Sequence, residues 1–166
     1  MMVTKVVLVT TLVVTILVLG EVLRRGDLGA AETARFLAFF GLLFLVRVVG
    51  QILVALRAPA WLPPMDEWNL TPYRLLLPFQ LGIVGVMAWL VYDLARDAGP
   101  LAEQRRGFGV LLIGFSAVYA GSMVARYTVR MRRRPKARWF GGAIPIAFHL
   151  VLAAFLFTWG RYNVSG

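Results

Sequence analysis

The sequence has no cysteine. That excludes disulfides, thiolate metal sites and cysteine nucleophiles, and it leaves the redox compartment undetermined. It has a single histidine, His149, so bis-histidine haem within one chain is impossible. Acids are scarce: eight Asp and Glu stand against eighteen Lys and Arg in 166 residues, for a formal net charge of +10. Four motifs of catalysis are missing, namely HExxH, a phosphate-binding loop, a Ser-His-Asp set at shared depth, and paired carboxylates inside an apolar run. Asp66 and Glu67 are adjacent in sequence, so on a helix they would not face one site. No enzyme is expected. Linker-like tracts and solenoid repeats are also missing, which makes residues 1–166 one domain.

What is present is apolar. The chain is 60% hydrophobic with a mean hydropathy of +0.75, where soluble domains run at about 45–50%. Five apolar runs stand out, at residues 3–23, 33–56, 72–95, 107–128 and 139–160. Each has the ~20 residues a helix needs to cross ~30 Å of hydrocarbon. Thr33 reads as an N-cap of the second, and Thr71-Pro72 as the cap and first residue of the third. The first run could be a cleaved signal peptide, but it is long and evenly apolar, and no A-x-A site precedes Arg24-Arg25. The expected fold is an all-α integral membrane protein, a bundle of five transmembrane helices with short loops.

The basic residues sit at the ends of the runs. There they orient the chain and meet anionic lipid, so membrane rather than nucleic acid is the expected partner. The fourth connection, "RYTVRMRRRPKAR", carries Arg126, Arg130, Arg132, Arg133, Arg134, Lys136 and Arg138. The positive-inside rule puts it in the cytoplasm. The N-terminus is then inside, the C-terminus outside, and the tally of Lys and Arg is ten inside to seven outside. The expected location is a bacterial cytoplasmic (inner) membrane. Arg130, Arg132, Arg133, Arg134, Lys136 and Arg138 are candidate contacts for lipid headgroups. The same cluster can equally be a topology signal alone.

Arg47 lies in "FLVRVVGQILVAL", a charge among aliphatic residues. A rise of 1.5 Å per residue puts it about 4 Å to the cytoplasmic side of its span's centre. On the same scale Gln80 is about 5 Å to that side, Tyr119 and Ser122 are about 2 and 7 Å, and His149 is near the centre. Gln51 is one turn from Arg47 on the same face. Polar side chains in hydrocarbon face the bundle interior, and a charge at helix centre costs about 2.5–3.5 kcal/mol. The band is therefore either a satisfied polar knot or a site for a ligand or partner, formed by Arg47, Gln51, Gln80 and Tyr119.

The cytoplasmic hydrocarbon edge is about 11 Å from Arg47 for a ~15 Å half-thickness, beyond the side chain's own reach. Four neutralising groups are open. They are Gln80 with His149, a carbonyl freed by Pro78 or Pro145, Asp66 or Glu67 folded up from the inner loop, and an anion from outside the chain. The fourth is favoured, because no acid lies inside a span near that depth.

The inner loop "RAPAWLPPMDEWNLTPY" holds four prolines with Trp61, Trp68 and Tyr73. Proline excludes a regular helix, and the aromatics favour headgroup level. "RAPAWLPP", with "MAWLV" in the next helix, resembles the proline-tryptophan loop of the tryptophan-rich sensory protein (translocator) family. The resemblance covers about a fifth of the chain. It implies a small five-helix bundle that binds tetrapyrroles or sterols, although that family's loop follows the first helix and this one the second. "IAFHLVLAAFLFTW" sets His149 ten residues before Trp159, similar to light-harvesting polypeptides. That likeness implies His149 as a ligand to haem or a chlorophyll-type pigment; the other reading is a hydrogen-bonded helix histidine.

Ala117, Gly121 and Ala125, with Gly114, make a small-residue row suited to close helix contact, expected inside the bundle. Two functions follow. The first is a non-catalytic integral membrane subunit that packs in, or helps assemble, a larger complex with other membrane protein subunits. The alternative is a small carrier or binding protein for a lipophilic or anionic ligand at the polar band.

Overall fold

The computed structural model describes residues 2–57, 59, 62, 73–133 and 143–165. Among them there are five helices and no strand: α1 Met2–Arg24, α2 Ala30–Arg57, α3 Tyr73–Ala95, α4 Arg106–Arg133 and α5 Ile144–Val164. All five are long and apolar enough to cross a membrane. Large apolar side chains such as Leu17, Leu42, Trp89 and Val118 stand exposed on the outside of α1, α2, α3 and α4. A helix leaves no backbone group of its interior unpaired, which is why such runs adopt this form in an apolar surround.

The ends differ from the sequence reading in three places. α4 continues beyond Thr128 to Arg133, because arginine is a good helix former and cations favour a helix C-terminus. α5 begins at Ile144 and not at 139. Pro145 is in its first turn, where a missing N–H breaks no helical bond. Pro145 thus frees no carbonyl inside the helix, whereas Pro78 is interior to α3. Thr33 is not a cap: it lies inside the first turn of α2, fully enclosed, and its N–H is bonded to the Gly29 carbonyl at 2.9 Å. Thr71, Pro72 and most of the inner loop lie outside the described residues.

The core sits between α2, α3 and α5. Leu37, Phe40, Phe44, Arg47, Val48 and Gln51 recur at three- and four-residue spacing and form the enclosed face of α2. They meet Met87, Leu90 and Leu94 of α3 and Phe148, Val151 and Phe155 of α5. α5 is the most enclosed helix and packs on α1, α2 and α4. Among the described residues the α3 backbone lies close to that of α2 alone, so α3 and α4 flank the bundle with their backbones apart.

One end of the bundle is tied by polar contacts. The Tyr162 hydroxyl donates to the Ala102 carbonyl at 2.5 Å, and Gln104 Nε2 donates to the Tyr162 carbonyl at 3.0 Å. Arg105 N–H donates to Asn163 Oδ1 at 3.0 Å. Arg161 Nη2 donates to the carbonyls of Arg25 and Gly26, each at 2.9 Å. Glu21 pairs with Arg24 and Arg25 at 2.8 Å, and Arg25 also pairs with Glu32. The C-terminal end of α5 and the turns 25–29 and 96–105 are thus held together.

Asp93 is buried against the turn that follows α3. Gly99 there has φ +96, and a Cβ on it would meet the Asp93 carboxylate at 2.6–3.0 Å. Gly99→Ala therefore combines left-handed strain with a clash against a buried acid. A loss of about 1–3 kcal/mol is expected, read as a lower unfolding temperature in detergent.

Candidate functional site

Arg47 lies on the enclosed face of α2, with 5% of its surface exposed. Its Nε is wholly enclosed and has no hydrogen-bond partner. The guanidinium carbon is 5.8 Å from the ring centroids of both Phe44 and Phe148. Both rings are near the ~6 Å limit of a cation–aromatic contact, so together they offset the cost of enclosure only in part.

No acid pairs with Arg47 among the described residues. Their ion pairs use Glu21, Glu32 and Glu103, all at the tied end of the bundle. Asp93 lies near the far end of α3, against Gly99. Asp66 and Glu67 lie outside the described residues.

The α3 and α4 backbones stand apart, a cleft of about 120 Å³ lies between them, and Arg47 lines it. Gln80 of α3, Tyr119 of α4 and His149 of α5 line the same cleft. Gln80 is buried; Tyr119 and His149 are half-buried. Phe44, Leu76, Ile83, Phe148 and Leu152 complete the walls, and exposed Phe79 stands at the mouth.

The hydrogen-bonding state of these groups is specific. His149 Nδ1 is 2.5 Å from the Pro145 carbonyl. A carbonyl can only accept, so Nδ1 carries the proton, and in the neutral ring Nε2 keeps its lone pair. The Tyr119 ring stacks on Phe115 at 5.8 Å and lies 5.9 Å from the His149 ring. Neither the Tyr119 hydroxyl nor the Gln80 amide has a side-chain or loop partner among the described residues. The cleft thus offers a fixed cation, a hydroxyl, an amide and an imidazole lone pair.

Two polar residues of the expected band are not in the cleft. Gln51 is fully enclosed one turn along α2 and does not line it, and both of its amide atoms lack partners. An orphaned buried amide costs about 1–3 kcal/mol. Gln51→Leu, similar in volume, is expected to raise the unfolding temperature of the purified protein. Ser122 faces outward, and its hydroxyl donates to the Tyr119 carbonyl at 2.7 Å.

The small-residue row is also placed differently. Gly114, Ala117, Gly121 and Ala125 are all exposed, with nothing near Gly114 or Gly121. The close crossing of α4 and α5 is instead at Gly109 and Gly160, where a Cβ on either would meet the other's carbonyl at 2.8–3.0 Å. Gly109 lies outside the small-residue row and Gly160 is the one glycine of α5, so neither belongs to a repeat. Ala117 and Gly121 lie about 160° round α4 from Tyr119, so the row and the cleft are on different faces.

Of the basic cluster, Arg132 and Arg133 are exposed and Arg130 is half-buried; Arg134, Lys136 and Arg138 lie outside the described residues. No three His, Asp or Glu side chains come together as metal ligands among the described residues.

Comparison with protein families, with curated proteins and with solved structures finds no match. The proline-tryptophan segment that resembles the translocator family lies almost wholly outside the described residues. Function therefore has to be argued from the cleft.

Proposed function

We propose that this chain is a non-catalytic integral membrane protein that binds an anionic, lipophilic group at Arg47. Five helices span the bilayer, with the N-terminus and the basic end of α4 on the cytoplasmic side of a bacterial inner membrane. The basic end of α4 lies against anionic headgroups. The observation that carries the reading is a buried guanidinium that pairs with no acid among the described residues and lines a cleft with three other polar side chains. A buried charge is tolerated when it is paired, and its counter-ion here comes from outside the chain.

A second reading is favoured by the outward row of small residues on α4. In it the protein is an accessory subunit, and the row seats a helix of another membrane protein in a larger complex. The two readings part on one preparation. The native protein is purified in mild non-ionic detergent, then analysed for companion chains by electrophoresis and for organic anions by solvent extraction and mass spectrometry. About one anionic amphiphile per chain, missing from Arg47→Gln, is the result expected for a binding protein. A stoichiometric companion chain with no such amphiphile moves the assignment to the subunit. Equal extracts from both proteins, with no companion, contradict both.

A further inference from the structure

The binding reading leaves the ligand's chemistry open, and the cleft restricts it. Resting on that reading, we infer that the ligand is a single-chain aliphatic carboxylic acid whose carboxylate lies on Arg47 and whose chain runs out between α3 and α4.

Charge is the first restriction. Among the described residues the cleft has one fixed cation and no acid. A monoanion neutralises it, whereas a phosphomonoester dianion would leave a net negative charge buried. Shape of the head is the second. A guanidinium binds a carboxylate through two parallel N–H···O bonds. A carboxylate has about four lone-pair sites, so the Tyr119 hydroxyl and the Gln80 amide can donate to those that Arg47 leaves.

Depth is the third restriction. Arg47 is about 5 Å from the midpoint of α2, so roughly 10 Å inside the edge of a ~30 Å hydrocarbon layer. A glycerophospholipid also carries one negative charge on its phosphodiester, but its two chains and glycerol keep that group at headgroup level. A single-chain acid has only methylenes behind its head and can be drawn in lengthwise. The walls suit it: Leu76, Phe79, Ile83 and Leu152 give a hydrocarbon passage ahead of the polar floor. The volume of about 120 Å³ holds a carboxylate and its first methylenes but no second chain.

A groove on the other side of Arg47, about 310 Å³, does not compete. Val7, Val46, Leu53 and Phe148 are among its lining, and Arg47 is the only polar side chain in it among the described residues. It can take lipid tails but offers a carboxylate no second partner.

The test uses the full chain in a maltoside detergent, washed free of lipid, with radiolabelled palmitate as probe and equilibrium dialysis as the measurement. Saturable binding of about one palmitate per chain is expected. Hexadecanol, which has the same chain without the charge, should compete at least about 100-fold less well, and Arg47→Gln should weaken palmitate by about the same factor. Phe79→Trp, which narrows the mouth and leaves the polar groups alone, should weaken it too. If Arg47→Gln does not fold, the palmitate-to-hexadecanol ratio on the natural protein decides alone. Equal competition by hexadecanol overturns the inference. Arg47-dependent binding of phosphatidylglycerol without palmitate binding overturns the ligand class and leaves the anion site standing. Binding of neither anion overturns both.

Discussion

Gly160→Leu is expected to break the packing of α4 on α5 and to cause the largest loss of stability of any single substitution proposed for this protein. A Cβ on Gly160 already meets Ile113 Cγ1 at 2.8 Å, the Gly109 carbonyl at 3.0 Å and the Ile113 nitrogen at 3.1 Å. Two of these three atoms are backbone, so no rotamer change relieves the contact. The helices must separate, and the Arg105–Asn163 and Gln104–Tyr162 bonds stretch with them. Over-packing costs about 1–3 kcal/mol when side chains can yield, so about 3 kcal/mol or more is expected here. That is a large share of the 5–15 kcal/mol that is usual for a folded domain. Denaturation in detergent measures it. Gly121→Leu is the matched control: it faces open space, and a change within about 0.5 kcal/mol is expected. Equal damage from both would contradict the crossing of α4 and α5 at Gly109 and Gly160. If the outward row seats another subunit, Gly121→Leu disrupts the assembly while leaving the isolated chain stable.

Arg47→Leu is expected to act in opposite directions on binding and on stability. Binding at the cleft should fall about 100-fold, because the ligand's charge would then be buried without a partner. Stability of the ligand-free chain should hold or rise. The natural residue places a cation with no acid partner among the described residues in an apolar interior, at a cost of about 2.5–3.5 kcal/mol, and the two ring contacts, both near the ~6 Å limit, return only part of it. Leucine fills much of the same space between Phe44 and Phe148 at no such cost. Improved stability with lost binding is the signature of a residue kept for function.

Much of this arrangement is legible in the residues alone. Length and hydropathy determine five helices, because backbone groups in hydrocarbon must be paired within the helix. The inward direction of Arg47 follows from the cost of turning a charge toward lipid. Its contact with Phe44 follows from i,i+3 spacing on one helix. Shared depth anticipated that Gln80, Tyr119 and His149 lie level with Arg47, and all of them line one cleft. Depth carries no information about rotation round the axis. It therefore groups Ser122, which faces outward, with residues that reach the cleft, whereas Gln51 shares the face of Arg47 but is sealed in the core one turn along. Phe148 as the second ring over Arg47, and the gap between α3 and α4, depend on which helices are neighbours, and no local pattern encodes that. The row on α4 misled for the same reason: a small-residue repeat allows close approach without saying which helix approaches.

Central to the account is the proposal that the counter-anion of Arg47 comes from outside its own chain. Equilibrium unfolding of ligand-free natural protein and Arg47→Leu, side by side in the same detergent, tests this most directly. The account predicts that the variant is at least as stable as the natural protein. A loss of about 3–5 kcal/mol in the variant, the cost of leaving one partner of a buried ion pair alone, would mean that an acid of this chain grips Arg47, and would contradict it.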